Sequence, residues 1–420
     1  MVVRWGIRKG EGAAVAAAFA YFFVLLAGYY VLRPIRDAMA VEAGAGRLPE
    51  LFAWTFGSML VLVPAWSWLV ARAPRRLLIP IAYEAFTLML LGFAAWWTAG
   101  GDKAAVARAF FVWLSVYSVF VVSVFWAFMN DLWRDEQARR LYGLIAAGGS
   151  LGALAGPAMV ALFATRVGIV ALLVLAAGLL QVAVVCVVGL VRWARVHGSG
   201  DLAHHAEERV GGGALAGFRL TLRSPYLLGI AALISLYAFG STILYVEQTR
   251  LLKDALPDAA SRAALLSRVD LAGNSVTTLI EVAGTGWILT RLGLAAALVV
   301  LPALTVAGLA LYGLVPTLTV LLGVTVIRRI AHFALERPAR EALFTVVGGE
   351  EKYKAKSFLD TVVYRGADWV STELQRLVSG LGLAGSAVAL VMAPVALVGV
   401  PIALYLAKRQ RVLAERGVAP

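Results

Sequence analysis

The sequence predicts an all-α polytopic membrane protein. The chain is 61% hydrophobic, whereas soluble globular chains are about 45–50% apolar. Its mean hydropathy is +0.82. Apolar stretches long enough to cross a bilayer, which needs about 20 residues, recur along the whole chain. Because the bilayer core offers no water to backbone N–H and C=O groups, such stretches form helices.

Hydropathy averaged over about 19 residues predicts twelve transmembrane helices. Their approximate limits are 13–41, 51–71, 77–98, 105–130, 141–165, 168–192, 225–249, 264–289, 293–313, 316–337, 356–380 and 385–407. A cleavable signal peptide is not expected, because the first apolar run is too long and no small-residue cleavage site follows it.

Basic residues are concentrated in alternate connections between these segments. The connections after the second, fourth and sixth segments are rich in arginine, whereas the opposite set holds mainly Arg47, Lys103 and Arg166. By the positive-inside rule both termini face the cytoplasm. This asymmetry also accounts for most of the net charge of +13, so a nucleic-acid partner is not expected.

One long polar connection, residues 193–224, divides the chain. Its glycine cluster and mixed charges indicate a linker. The predicted domains are an N-terminal six-helix bundle, 1–192, and a C-terminal six-helix bundle, 225–420. Two six-helix bundles with a cytoplasmic linker and a parallel internal repeat describe a major facilitator-like architecture.

The residue types of common enzyme and metal sites do not occur in matching patterns. No Walker A pattern, catalytic triad or metal-ligand cluster is found. His197, His204 and His205 lie in the linker without matched spacing, and one cysteine, Cys186, excludes an intrachain disulfide framework. We therefore expect no enzyme, no metal and no cofactor.

Charged residues interrupt the first apolar segment near its end. Arg33, Arg36 and Asp37 stand between apolar flanks, where charge is expensive and marks a functional interior. At helical spacing both arginines share one face, and Asp37 lies one turn beyond Arg33, where it can pair with it. Pro34 predicts a kink. The alternative is a helix end whose arginines extend to the interface.

The same signature ends the seventh segment. Arg250, Lys253 and Asp254 repeat the three charges of the first segment at a constant offset of 217 residues. Two halves related by duplication are common in secondary transporters. Further intramembrane polar residues lie on the eighth, tenth and eleventh segments; they are Asp270, Asn274, Glu281, Arg328, Arg329, His332, Asp360, Arg365 and Asp368. Arginine presents a fixed fork of donors that matches phosphate or carboxylate, and Arg365 is expected to pair with Asp368.

Several blocks resemble the nucleotide (ATP:ADP antiporter) transporter family, a distant branch of the major facilitator superfamily that is found in plastids and intracellular bacteria. The family's LRDTKD is similar to residues 32–37, its FWGFAN to 125–130 and its PTKE to 338–341. Its E-x-K-x-K-x-K-x-x-x-D run fits Glu350, Lys352, Lys354, Lys356 and Asp360. The blocks fall in the family's order and cover the chain in outline.

The resemblance implies a transporter in a bacterial cytoplasmic (inner) membrane, with some charges altered. The family's substrate-contacting lysine of the first segment falls on Arg36, and an acid of the eighth corresponds to Glu281 by position. Its acid in the fourth segment has no counterpart, and its lysine in the eleventh falls near Asp368. The predicted substrate-binding residues are Arg33, Arg36, Asp37, Asn130, Arg250, Lys253, Asn274, Glu281, Arg328, Arg329, His332, Asp360 and Arg365. The alternative for any one of these charges is a structural ion pair.

Charges on the cytoplasmic side suggest a gate. Arg139 and Lys356 stand at helix starts and are predicted to form gate-closing salt bridges between the halves, whereas solvated topogenic charge is the simpler interpretation. Glu84, about two turns into the third segment, is expected to be buried as a paired structural acid or a proton carrier. Gly148, Gly152 and Gly156 are spaced for close helix packing, and the alternative for them is a gating role.

The resulting hypothesis is a secondary transporter that moves an anionic, nucleotide-like or otherwise phosphorylated metabolite by alternating access. Its partners would be the lipid bilayer, a small anionic substrate and either a counter-substrate or a coupling proton. Two alternatives remain open. One is a carrier of organic or amphipathic substrates such as drugs or lipids. The other is a transport-inactive sensor or assembly protein with the same fold.

Overall fold

In the computed structural model the described residues are 7–8, 10–70, 75–197, 215–348, 355–383 and 385–416. These residues form helices, turns and short connections and contain no strand. The all-α prediction is therefore confirmed for this part of the chain. Parts of the predicted linker 193–224 are helical, because the fifth helix continues to His197 and another helix starts at Leu215. The linker residues 198–214 lie outside the described ranges.

The N-terminal half contains five helices. They are α1 (Gly12–Ala43), α2 (Leu48–Val70, after a short 3-10 turn at Ala45–Arg47), α3 (Arg75–Thr98), α4 (Lys103–Leu132) and α5 (Asp135–His197). Within α5 the backbone turns at Gly168, whose φ of 77° lies in the left-handed region. Glycine reaches this region without steric cost, so α5 holds both the fifth and the sixth predicted segments.

The C-terminal half is divided into more and shorter helices than the N-terminal half. Its helices are α6 (Leu215–Arg223), α7 (Pro225–Ala255), α8 (Ala259–Ala283), α9 (Thr285–Leu314, turning at Gly293), α10 (Leu318–Ala331), α11 (Arg337–Leu343), α12 (Tyr364–Gly380), α13 (Gly385–Leu397) and α14 (Gly399–Arg416). Two π-helical turns, His332–Glu336 and Leu359–Val363, precede α11 and α12.

Among the described residues nine helical stretches are long and apolar enough to cross a membrane. One of them, Arg140–Val196, contains two predicted segments, and α8 and α12 are not in the set. Polar residues lower the mean hydropathy of these two helices: α8 carries Asp270 and Glu281, and α12 carries Arg365 and Asp368. The chain is a multi-pass membrane protein, and the total of twelve spans stays a prediction.

The chain forms two compact units. The first contains residues 1–43, 61–209 and 256–271, and the second contains 44–60, 210–255 and 272–420. The first half of α8 therefore clusters with the N-terminal helices, and the first part of α2 clusters with the C-terminal ones. The boundaries of the two units differ from the predicted bundles 1–192 and 225–420, because part of α2 belongs to the second unit and part of α8 to the first. The predicted division stays a prediction.

The first unit is held together along α1 and α5. On α5, Gly148, Gly152 and Gly156 face α1 so closely that a Cβ added at Gly156 would lie 2.6 Å from the carbonyl oxygen of Ala27. The predicted packing role of the glycines is confirmed, because no larger side chain fits at this separation. We call these three residues the glycine seam. Aromatic contacts with α4 complete the core, for example the stacked rings of Phe22 and Phe125, 4.1 Å apart.

The second unit contains two apolar clusters. One packs the start of α7 and the start of α9 against α14, with Ile230, Leu298 and Leu406 fully buried. The other joins the middle of α7, the end of α9, α10 and α13, with Leu309 and Val388 fully buried. Buried polar groups lie among these same helices.

Glu11 fastens the start of α1 to α5. Its carboxylate accepts hydrogen bonds from Gln137 at 2.9 Å, from Arg140 at 3.1 Å and from the backbone of Arg8 at 2.9 Å. Burial alone would raise the pKa of Glu11, but these hydrogen bonds outweigh it and lower the pKa from 4.5 to about 2.

The lowered pKa of Glu11 predicts a specific acid sensitivity. A carboxylate with a depressed folded-state pKa stabilises the fold fully above its unfolded pKa, and this stabilisation is lost as the pH falls towards the folded value. The melting temperature of wild type should therefore fall between pH 4.5 and pH 2 more steeply than that of Glu11→Gln, which has no carboxylate to protonate. The control Glu415→Gln, at an exposed position on α14, should keep the wild-type slope. Equal slopes for wild type and Glu11→Gln would contradict this role.

Candidate functional site

The charges that interrupt α1 are paired in the first unit. The guanidinium of Arg33 lies 3.8 Å from the carboxylate of Asp270 on α8, and their side chains are 21% and 7% exposed. Asp37 pairs with Arg36 at 2.7 Å, and the Arg36 guanidinium also lies over the ring of Phe111. Asp37 therefore forms its ion pair with the adjacent Arg36, and Asp270 on α8 is the acid within ion-pair distance of Arg33.

The repeated signature on α7 has a different environment. Arg250 pairs at 3.5 Å with Glu247, one turn earlier, and its side chain is 46% exposed. Lys253 and Asp254 are exposed. At the offset of 217 residues Glu247 corresponds to Tyr30, whose ring lies 6.0 Å from the Arg33 guanidinium. The two copies of the repeat therefore share the charge pattern of the sequence. Their first arginines have different partners, since Arg33 pairs with Asp270 and Arg250 pairs with Glu247.

Glu247 is the centre of a buried polar group that the sequence analysis missed. Its carboxylate accepts hydrogen bonds from Tyr312 at 3.1 Å and from Gln375 at 3.0 Å, in addition to the Arg250 contact. Its side chain is 3% exposed. The signal that could have found it is an acid within an otherwise apolar stretch of α7, one turn before an arginine.

The strongest candidate site lies around α10 in the second unit. We call it the α10 cluster, and it consists of Tyr237, Thr305, Arg328, His332, Glu336 and Arg340. Arg328 is 4% exposed. Its Nε donates to the hydroxyl of Thr305 at 2.9 Å, and its Nη2 donates to the backbone carbonyl of Tyr237 at 3.5 Å. No acid lies within ion-pair distance of Arg328 among the residues that the structure describes.

Gly240 makes room for this guanidinium. A Cβ at position 240 would lie 2.8 Å from Nη2 of Arg328 and 2.5 Å from the methyl carbon of Thr305. The Arg328 guanidinium also lies 6.0 Å from the centre of the Tyr237 ring. Gly240 on α7, and Tyr237 one turn before it, therefore form the part of the protein interior in which the Arg328 guanidinium lies.

A second part of the α10 cluster combines a histidine and a carboxylate. The imidazole of His332 stacks on the ring of Tyr237, with centres 3.8 Å apart and planes 8° from parallel. Its Nδ1 lies 2.8 Å from Oε2 of Glu336, which is 2% exposed. The two atoms are close, but the geometry does not fit a hydrogen bond, so the contact is a close approach of two polar atoms.

Arg340 connects Glu336 to the region before α12. Its Nε lies 3.6 Å from Glu336, and its Nη1 lies 3.4 Å from the carboxylate of Asp360. Glu336 ends one π-helical turn and Asp360 lies in the other. Single π-helical turns in α-helices occur frequently at functional sites. Here they place a histidine and two carboxylates around one buried arginine.

The remaining predicted site residues have separate surroundings. Arg365 pairs with Asp368 at 3.5 Å as predicted, and Asp368 also accepts from the hydroxyl of Thr242. Asn130, at an exposed position on α4, accepts from the hydroxyl of Tyr142.

The predicted site residues near α8 also lie apart from one another. The side chain of Arg329 reaches Gly273 on α8, next to the half-buried Asn274, whereas Glu281 is exposed near the end of that helix. Substrate binding by any of these residues stays a prediction.

The gate residues are only partly described. The side chain of Arg139 lies outside the described residues. Lys356 pairs with Glu341 at 2.6 Å, within the second unit. Two neighbours of Arg139 pair within the first unit, Glu136 with Arg8 and Arg140 with Glu11. A gating role for Arg139 and Lys356 stays a prediction.

The expectation that Glu84 is buried is wrong. Glu84 is exposed on α3, and its carboxylate accepts a hydrogen bond from Gln181 on α5 at 2.9 Å. Gln181 also donates to Thr87, one turn further along α3. A polar neighbour on the adjacent helix therefore satisfies this acid at the surface of the first unit.

Four members of the α10 cluster, Tyr237, Thr305, Glu336 and Arg340, were missed from the sequence. Glu336 and Arg340 follow His332 at intervals of four residues, and this spacing predicts contacts on one helix face. Tyr237 and Thr305 carry no charge and lie on other helices, so spacing along the chain gave no signal for them. In the part of the chain that the structure describes, no group of three His, Cys, Asp or Glu side chains is placed to hold a metal ion.

Comparisons with solved structures address the fold. The chain is similar to a POT family transporter in complex with 5-aminolevulinic acid, with 12% identity, a TM-score of 0.63, and 97% of this chain and 99% of that one covered. It is also similar to the peptide transporter POT in complex with sulfate, with 16% identity, a TM-score of 0.64 and 95% of each chain covered. A bacterial homolog of the human lysosomal transporter Spinster gives a TM-score of 0.56 at 13% identity, with 98% of this chain and 96% of that one covered. These likenesses support the major facilitator-like fold.

Sequence comparison identifies the family. A search among curated proteins gives no match. The family model of the TLC ATP/ADP transporter matches residues 109–325, just over half of the 420-residue chain. This range contains the end of α4, the repeated charges of α7 and the start of α10. The chain therefore belongs to the TLC ATP/ADP transporter family, in agreement with the resemblance carried by its motifs.

Proposed function

We propose that this membrane transporter is a secondary transporter of a small anion, a nucleotide or another phosphorylated metabolite, and that it works by alternating access. The observation that carries the anion assignment is Arg328. It is a buried cation in a membrane helix whose described partners are a hydroxyl, a carbonyl and an aromatic ring. An ionisable residue within a membrane protein is by default a candidate for the substrate or ion pathway.

The energetics of Arg328 support this assignment. Removing an arginine from water costs several kcal/mol unless an opposite charge compensates it. Two other arginines of the second unit with mostly buried side chains have such a partner: Arg340 has Glu336 and Arg365 has Asp368. Arg328 instead keeps a fork of donors that fits the oxygens of a phosphate or carboxylate. A bound anion would supply the missing charge.

The family and the repeat support the transport mechanism. The family model describes an ATP/ADP transporter, and pseudo-symmetric halves are the usual basis of alternating access. The first test is a ligand panel with purified protein: ATP, ADP, inorganic phosphate, a sugar phosphate and the uncharged nucleoside adenosine. A ligand at a hundred times its Kd should add about 2.7 kcal/mol of stability. The anions should stabilise the protein and adenosine should not.

A transport assay then separates the two forms of coupling. Proteoliposomes are loaded with unlabelled ADP or left empty, and uptake of labelled ATP is measured with and without a pH gradient. Exchange predicts uptake that requires internal ADP. Proton coupling predicts uptake into empty vesicles driven by the pH gradient alone. Stabilisation and uptake of uncharged organic compounds with no effect of the anions would overturn the proposal.

Arg328 gives a sharper prediction through its variants. Arg328→Met should weaken anion binding by about 10- to 150-fold, because a charged hydrogen bond contributes about 1.5–3 kcal/mol. It should not lower the melting temperature without ligand, since it removes a buried charge and Thr305 keeps its own hydrogen bond to the carbonyl of Leu301. Arg328→Lys should bind anions better than Arg328→Met, because it retains the charge without the fork.

The control for these variants is Arg376→Met. Arg376 is exposed on α12 and pairs with Glu373 at the surface, so the substitution should change neither ligand binding nor stability. If Arg328 has only a structural role, Arg328→Met should instead lower the melting temperature while anion binding by the folded fraction remains normal. That result would contradict the anion site.

A further inference from the structure

A cavity of about 370 Å³ lies in the second unit where α6, the start of α7 and the end of α14 meet. Two arginines line it, Arg223 from the end of α6 and Arg409 from α14. Both side chains are exposed. Neither guanidinium has a hydrogen-bond or ion-pair partner among the residues that the structure describes. Two like charges therefore border one cavity without an acid between them.

The other walls add features that suit an anion. Ser224 precedes α7 and its hydroxyl accepts from the backbone N–H of Leu227 at 3.3 Å. Pro225, Tyr226 and Leu227 at the start of this 31-residue helix line the cavity, so the positive end of the helix dipole lies beside it. Tyr226 is buried and donates to the carbonyl of Leu343, which holds this end of α7 in place.

Apolar side chains surround the same cavity. Leu220 and Tyr405 line it, and Leu222, Leu228 and Leu404 are exposed on the three helices that form it. On a membrane protein, exposed leucines mark the lipid-facing surface. The cavity thus combines two positive charges with an apolar rim that includes Leu220 and Tyr405, on helices that also carry exposed leucines. A free inorganic ion would use the first feature and leave the second without a role.

We propose that this cavity binds the phosphate group of an anionic phospholipid, with Arg223 and Arg409 as the two phosphate contacts and the apolar rim against the acyl chains. Each guanidinium can present two parallel N–H donors to phosphate oxygens. Basic pockets between membrane helices bind anionic headgroups in this way. This site is separate from the α10 cluster, and its assignment does not depend on which substrate the protein transports.

The test uses purified full-length protein in neutral detergent, with phosphatidylglycerol as the anionic probe and phosphatidylcholine as the neutral one. Native mass spectrometry counts the lipids that remain bound, and a melting curve measures stabilisation. Phosphatidylglycerol should bind at a lower concentration than phosphatidylcholine. Arg223→Gln and Arg409→Gln should each weaken phosphatidylglycerol binding by about 10-fold, which corresponds to one charged hydrogen bond.

Matched controls lie on the same two helices. Arg219 on α6 and Lys408 on α14 are exposed and do not line the cavity. Arg219→Gln and Lys408→Gln remove the same charge and should leave phosphatidylglycerol binding unchanged. The ATP-induced stabilisation should be unaffected in all four variants, which separates lipid binding from substrate binding.

Two results would overturn the assignment. Equal losses in the four variants would show a general attraction between a basic surface and an acidic lipid rather than a site. Competition by inorganic phosphate at concentrations similar to those of phosphatidylglycerol would show that the cavity takes free phosphate and not a lipid. Selective loss in Arg223→Gln and Arg409→Gln, with no competition by phosphate, would support the lipid.

Discussion

Gly152→Leu should prevent the folded protein from accumulating. At this position of the glycine seam an added Cβ would lie 2.9 Å from the backbone nitrogen of Ala27 and closer still to the carbonyl oxygen of Phe23. Backbone atoms of a packed helix cannot move aside as a flexible side chain can. Overpacking in a core costs about 1–3 kcal/mol even where side chains rearrange, and here α1 and α5 must separate. We expect a loss of at least about 3 kcal/mol.

The seam can be tested on one helix. Gly178→Leu is the matched control, because nothing lies within 4 Å of a Cβ at position 178 and Gly178 itself is exposed. Gly152→Ala should already lower the melting temperature, while Gly178→Ala should leave it unchanged or raise it slightly, since alanine is the better helix former. Fluorescence-detected gel filtration gives the folded yield and the melting temperature of each variant. Similar yields for Gly152→Leu and Gly178→Leu would contradict the seam.

The limits of the helices were predicted well from the sequence where a segment is strongly hydrophobic. The first segment was predicted at 13–41 and α1 runs from Gly12 to Ala43. Prediction was less exact where polar residues or glycines interrupt a helix. The π-helical turn at His332–Glu336 and the turn at Gly293 depend on packing against other helices. Such local distortions have little signature in mean hydropathy.

The candidate site was predicted in part for a similar reason. Charge inside an apolar stretch identified Arg328 and His332, because the bilayer makes such charge unusual. Their neutral neighbours Tyr237 and Thr305 come from helices about 90 and 20 residues earlier in the chain, and one sequence does not show which helices meet. Arg33 gives a second example: Asp37 is near in sequence, but the ion-pair partner is Asp270 on α8, which only the fold brings close.

Arg262 holds the connection between α7 and α8 to α1. Its Nη1 donates to Glu42 at 2.6 Å, its Nε to the carbonyl of Leu256 at 2.8 Å and its Nη2 to the carbonyl of Pro257 at 3.1 Å. The Arg262 side chain is 5% exposed, whereas that of Glu42 is 31% exposed. One guanidinium therefore satisfies two loop carbonyls and one carboxylate, all in the first unit.

Replacing Arg262 with methionine should destabilise the protein far more than neutralising Glu42. Arg262→Met removes three hydrogen bonds made by a guanidinium whose side chain is only 5% exposed, so we expect a loss of about 3 kcal/mol or more. Glu42→Gln keeps an acceptor at a partly hydrated position and should cost about 1 kcal/mol. Arg268→Met, at an exposed position on the same helix, should have no effect. Melting curves measure the three changes, and hydrogen exchange should show faster opening of residues 258–264 in Arg262→Met alone. Equal destabilisation by Arg262→Met and Glu42→Gln would mean that the ion pair carries the whole effect and that the loop carbonyls contribute nothing.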